Sequence, residues 1–130
     1  MKINYQKLYE NLGYLFYAVA AADHHVHRDE IDKLKVLVGK EWLPLENSTD
    51  SYGTDAAHYI SIAFEYLLSE GMAAEDAYKV FSDFYKESEA GFTKDLKQKV
   101  KITAKSIAKA FGGQNKKEQR FIDQLSKLMK

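Results

Sequence analysis

Apolar residues recur every three or four positions along most of the chain, and no long stretch alternates at period two, which predicts helices rather than strands. Tyr5, Leu8, Leu12, Leu15, Phe16 and Val19 mark a first helix over about residues 3–22. Ile31, Leu34, Leu37, Val38 and Leu43 mark a second over about 28–43, where Pro44 stops it. Residues 45–53, rich in Asn, Ser, Thr, Asp and Gly, read as the one loop of any length. Thr54 then suits an N-cap for a third helix carrying Ile60, Phe64, Leu67 and Leu68, with Gly71 at its C′ position. Ala77, Val80, Phe81 and Phe84 mark a fourth helix, ending before Gly91. Thr93 caps a fifth with Leu96, Val100, Ile107 and Ala108 on one side, closed by Gly112-Gly113. Asn115 and Glu118 form a capping box for a sixth bearing Phe121, Ile122, Leu125 and Leu128. Short turns between six helices imply one all-α domain over residues 1–130, a compact bundle. Its expected core includes Leu15, Val19, Leu34, Leu37, Ile60, Phe64, Leu67, Phe81, Ile107, Ile122 and Leu125.

The two ends of the chain echo one another at an offset of 88 residues. Val19 matches Ile107, Ala20 matches Ala108, Ala22 matches Ala110, Glu30 matches Glu118, Leu34 matches Ile122 and Leu37 matches Leu125. The simplest reading is a pair of pseudo-symmetric helical hairpins, over residues 12–37 and 100–125. The copies diverge in charge, because Asp23, His24 and Asp29 correspond to Phe111, Gly112 and Lys117.

Composition narrows the chemistry. The chain has 130 residues, is 45% apolar and carries no cysteine. A disulfide scaffold, thiolate zinc sites and thiol catalysis are therefore excluded. Phosphate-binding glycine loops, G-x-S-x-G elbows and H-E-x-x-H helices are absent. His58 with Asp55 fits an i,i+3 helix contact better than a catalytic base. These features favour a non-enzyme. The longest apolar run, Leu12 to Ala22, is too short to cross a bilayer. Glu10 and Asn11 precede it where a signal peptide would carry basic residues. The expectation is a cytoplasmic protein with no membrane insertion.

The turn Ala21 to Glu30 concentrates polar chemistry in Asp23, His24, His25, His27, Asp29 and Glu30. Carboxylates and imidazoles at this density can hold one divalent cation. Asp23 falls at a helix C-terminus, where a negative charge costs ~0.3–1 kcal/mol unless something offsets it. A metal-free account stands beside this one. Glu30, like Glu118, can act as the N3 partner of a capping box, and Asp23 can form an Asx-turn.

A helix ending in small residues, then Ala22-Asp23, a short turn, an acidic pair and an amphipathic helix resembles the TerB-like (tellurite resistance protein B) family. The resemblance covers Leu12 to Leu37, with Ile107 to Leu128 as a degenerate second copy. The family's usual Ala-Asp-Gly is here Ala22-Asp23-His24, followed by Glu30 seven residues after the Asp. The resemblance implies an all-helical fold with internal pseudo-symmetry and an acidic cluster suspected of binding divalent metal. It also implies a role in bacterial stress-response complexes rather than catalysis. Phe111 in place of a second Asp leaves only the first copy able to hold a site.

Zero net charge hides a split. Residues 94–130 hold 11 basic and three acidic residues, whereas the first 93 hold eight and 16. Lys97, Lys101, Lys105 and Lys109 recur every fourth position, a stripe opposite Val100 and Ile107. It reads either as a solvated face or as a docking surface for an acidic protein partner. Nucleic acid ranks behind a protein here, since no aromatic residue interleaves with the lysines. The nine tyrosines suit the half-buried margins of helices, and also interfaces, so self-association stays open.

Overall fold

Leu12 to Val19 is apolar on almost every side, and a helix of that kind belongs inside a bundle. In the computed structural model, which describes residues 5–21, 30–42, 50–111 and 116–129, this segment is the central helix. The described elements are α1 (Tyr5–Ala20), α2 (Glu30–Trp42), α3 (Asp50–Glu70), α4 (Ala74–Ser88), α5 (Lys94–Phe111) and α6 (Lys116–Leu128), with a 3-10 turn at Glu89–Gly91. No strand occurs among the described residues. The chain is an all-α bundle.

Around α1 pack α3, α4, α5 and α6, while α2 lies against α3 and α5. Leu8, Tyr9, Leu12, Leu15, Phe16, Tyr17, Val19 and Ala20 of α1 are all buried. α1 and α3 approach one another closely at Gly13. A β-carbon there would lie 2.5 Å from Ala63 Cβ and 2.9 Å from the Ile60 carbonyl oxygen. Only a glycine lets α3 come that near.

Local signals account for several boundaries. Gly71 takes φ +66°. Its N–H donates to the carbonyls of Leu67 and Leu68, and the Met72 N–H donates to Leu67, which is a Schellman termination of α3. The Thr93 hydroxyl accepts from the Leu96 N–H at 3.1 Å, capping α5 as expected. The start of α3 differs from the sequence reading. Residues 50–53 are helical, so α3 starts earlier than expected and Thr54 lies inside the helix. An interior glycine at position 53 costs only ~1 kcal/mol against Ala, which a helix of this length absorbs. The Gly112-Gly113 stop and the Asn115 cap lie outside the described residues.

The core contains every expected residue except Leu37, which is only partly buried and packs at its edge. Among the described tyrosines three are deeper than a margin role allows and three fit it. Tyr9, Tyr17 and Tyr85 are buried, Tyr14, Tyr59 and Tyr78 are half-buried, and Tyr66 is exposed. Tyr17 spends its hydroxyl on the Met72 carbonyl at 2.7 Å, tying α1 to the α3–α4 turn. Tyr85 stacks edge-on with Phe92 at 4.8 Å, and Tyr78 lies 5.3 Å from Phe121 of α6.

Candidate partner-binding face

The lysine stripe lies on an α5 that is built to hold one face inward. Leu96, Val100, Thr103, Ala104 and Ile107 are buried. Thr103 returns its hydroxyl to the Lys99 carbonyl at 2.8 Å, so its polar atom is satisfied within the helix. Asp95 in the first turn and Lys109 in the last complement the helix dipole. At the far end Lys33 of α2 donates to the Ala110 carbonyl at 3.5 Å.

Four-residue steps on a helix advance by about 40° each, so the stripe slants. Lys97 and Lys101 are half-buried beside the core, and Lys105 and Lys109 are exposed. The stripe therefore starts at the edge of the packed face and turns fully outward, rather than standing opposite Val100 and Ile107 along its whole length. Lys94 joins it one turn earlier. Lys94, Lys97, Gln98 and Lys101 line a cleft of about 320 Å³ together with Met129. Met129 is itself buried at the base of the cleft, whose rim is cationic. Ile102, 46% exposed, adds an apolar side chain beside the outer lysines.

The electrostatics of this face differ from those of α4. On α4 the exposed acids Glu75, Asp76 and Asp83 have Lys79 or Lys86 three or four positions away, spacing that lets charges offset one another. On α5, Lys101, Lys105 and Lys109 have no acidic residue at that spacing. Like charges four apart cost ~0.2–0.5 kcal/mol per pair. The α5 face thus carries a repulsion that an acidic partner would relieve.

Sequence reasoning located Lys97, Lys101, Lys105 and Lys109, but missed Lys94, Gln98, Ile102 and Met129. Lys94 was legible, seven residues before Lys101 on the same side of the helix. Met129 was not, since its place beside α5 is a tertiary fact. Of the expected metal ligands, Asp23, His24, His25, His27 and Asp29 lie outside the described residues, and Glu30 is the first residue of α2. Among the described residues no group of three or more metal-ligating side chains is gathered, and no helix is long and apolar enough to cross a membrane. Comparison with known proteins finds no matching family, no matching curated protein and no matching solved structure.

Proposed function

We propose that this protein is a non-catalytic, TerB-like helical module that binds an acidic protein partner through the basic face of α5. One observation carries this reading. A face of α5 bears Lys94, Lys97, Lys101, Lys105 and Lys109 with no acidic residue spaced to neutralise Lys101, Lys105 or Lys109. The other face is committed to the core. Exposed charges contribute little to folding but strongly steer association. The Asp23–Glu30 turn adds a second element to the proposal, a single divalent cation that conditions the partner's binding. A cytoplasmic role in a bacterial stress-response complex is the setting the TerB-like resemblance supports.

The test is affinity capture from native lysate with the parent protein, with and without a chelator, beside Lys101→Glu/Lys105→Glu. The parent should retain a partner that mass spectrometry identifies as acidic. The double variant should lose it while melting within about 0.5 kcal/mol of the parent. Chelation should weaken capture if the turn holds an ion. Equal capture by parent and double variant would return the lysines to a solvated face. Capture that is indifferent to chelator would remove the cation from the proposal and leave the basic face standing.

A further inference from the structure

The buried positions of α1 and α5 share one register. Leu8, Leu12, Leu15, Phe16 and Val19 of α1 are buried, and the residues 88 further on are Leu96, Val100, Thr103, Ala104 and Ile107, all buried on α5. The two helices therefore present corresponding faces to the core, over a longer stretch than the sequence echo alone marks out.

The adjoining faces then differ in what lies on them. On α1 that face is Tyr9, Gly13 and Tyr17, and α3 is laid across it. Gly13 meets Ala63 and the Ile60 carbonyl, and the Tyr17 ring stands edge-on to Phe64 at 5.8 Å. The corresponding residues of α5 are Lys97, Lys101 and Lys105, with Lys109 in the place of Ala21. Among the described residues α5 packs on α1, α2 and α6, and neither α3 nor α4 covers this face.

We infer that the lysine face of α5 seats an acidic amphipathic helix of a partner protein, laid across α5 as α3 is laid across α1. The inference rests on the basic-face reading above and deepens it by naming the partner's form. Charge complementarity sets the sign, because a ridge of ammonium groups calls for carboxylates. The ridge also sets the shape. A helix row at i±4n interdigitates with rows of a second helix at 8–10 Å between axes. Carboxylates spaced three or four apart on such a helix match lysines spaced four apart. Lys101 forbids the contact that Gly13 permits, so the guest helix sits further out, on the apolar stems of lysines whose charged ends move to its flanks. Ile102 and the cleft beside Met129 receive its apolar side chains.

Two synthetic peptides of identical Glu- and Leu-rich composition, each as long as α5, test this with the full-length protein. One places its leucines three and four apart, and the other scrambles them so that no helical face forms. Fluorescence anisotropy gives affinity, circular dichroism gives induced helicity, and a single-stranded DNA serves as the rival polyanion. The patterned peptide should bind at least about tenfold more tightly than the scramble and gain helix on mixing. Binding should fall by about the same factor for Lys101→Gln/Lys105→Gln, whose melting should match the parent. Equal affinity for both peptides would overturn the helix and leave a face that reads charge alone. Binding unchanged in the double variant would overturn the location. DNA bound more tightly than either peptide would overturn the helix and the protein-partner reading together.

Discussion

α1 and α5 begin from one hydrophobic pattern and end in different places. Five positions of α1 and the five that lie 88 residues further on in α5 point into the core. Yet α1 is enclosed by α3, α4, α5 and α6, whereas α5 meets α1, α2 and α6 and turns its lysines from half-buried at Lys97 and Lys101 to exposed at Lys105 and Lys109. The difference lies in the residues beside the shared stripe. Tyr9, Gly13 and Tyr17 supply apolar bulk, a close approach and a hydrogen bond to what covers them. On α5 the corresponding positions are lysines, and the charged ends of Lys101 and Lys105 call for water or counter-charge. A periodic stripe thus says which face of a helix is buried. The neighbouring positions say whether a second layer is added to it.

The largest test of that contrast is truncation of the same position in each helix. Phe16 is fully buried, and Phe16→Ala should cost ~3–5 kcal/mol through lost transfer energy and the cavity left behind. Its counterpart is already Ala104, where Ala104→Gly should cost only ~1–2 kcal/mol, the helix-interior difference between the two residues plus one buried methyl. Urea denaturation of the two variants decides the point. A Phe16→Ala cost below about 1 kcal/mol would mean that α1 is not the enclosed helix.

Much of this fold was legible in the chain, because caps and apolar periodicity are local. Gly71 and Thr93 could be placed from neighbours within a turn, and both make the hydrogen bonds expected of them. What local pattern does not carry is long-range. Gly13 sits in an apolar run with nothing local to distinguish it, and only the approach of α3 gives it a role. The polar tips of Tyr9, Tyr17 and Tyr85 suggest helix margins. Their rings are buried, and Tyr17 finds its acceptor 55 residues away. Leu37 had the right period for the core, yet it falls at its edge. The start of α3 is hidden in the sequence because Asn, Ser, Asp and Gly are turn formers that helices also use near their ends. In the candidate face, spacing revealed four lysines. It could not reveal their slant, the cleft beside Met129, or that α5 lacks the covering helix α1 has.

A smaller test sharpens the same comparison one turn away. Gly13→Ala should gain ~1 kcal/mol of helix propensity. It should nevertheless destabilise by ~1–3 kcal/mol, because the new methyl would meet Ala63 Cβ at 2.5 Å and the Ile60 carbonyl at 2.9 Å. Ala63→Gly added to it should restore part of the loss, since one of the two obstructing atoms is gone. The corresponding change on α5, Lys101→Ala, should stay within about 0.5 kcal/mol. Thermal and urea melts of the four proteins check this. Stabilisation by Gly13→Ala would show that α3 does not lie closely on α1.

The smallest effect concerns how the second region is anchored at its margin. Tyr78 of α4 is half-buried against Phe121 of α6, and burial pushes its phenol up to about 12 from the ordinary 10.0. The same cause raises Tyr17 in α1. A raised folded-state pKa means that below pH ~10 both states keep the proton and the group leaves stability unchanged with pH. Between pH ~10 and ~12 the unfolded chain loses the Tyr78 proton while the folded chain holds it, so stability falls as pH rises through that window. Tyr78→Phe keeps the ring contact and removes the proton. Its urea midpoint should match the parent's near pH 8 and then fall less steeply above pH ~10. Tyr17→Phe should also flatten the alkaline slope, but it should lower the midpoint at pH 8, because it gives up the hydrogen bond to the Met72 carbonyl, worth ~0.5–1.5 kcal/mol. The pair therefore separates the two regions. Burial by α3 and its turn fixes both the ring and the hydroxyl of Tyr17, whereas the contact with α6 fixes the ring of Tyr78. Parallel alkaline slopes for parent and Tyr78→Phe would place that phenol in water and loosen the attachment of α6 to α4.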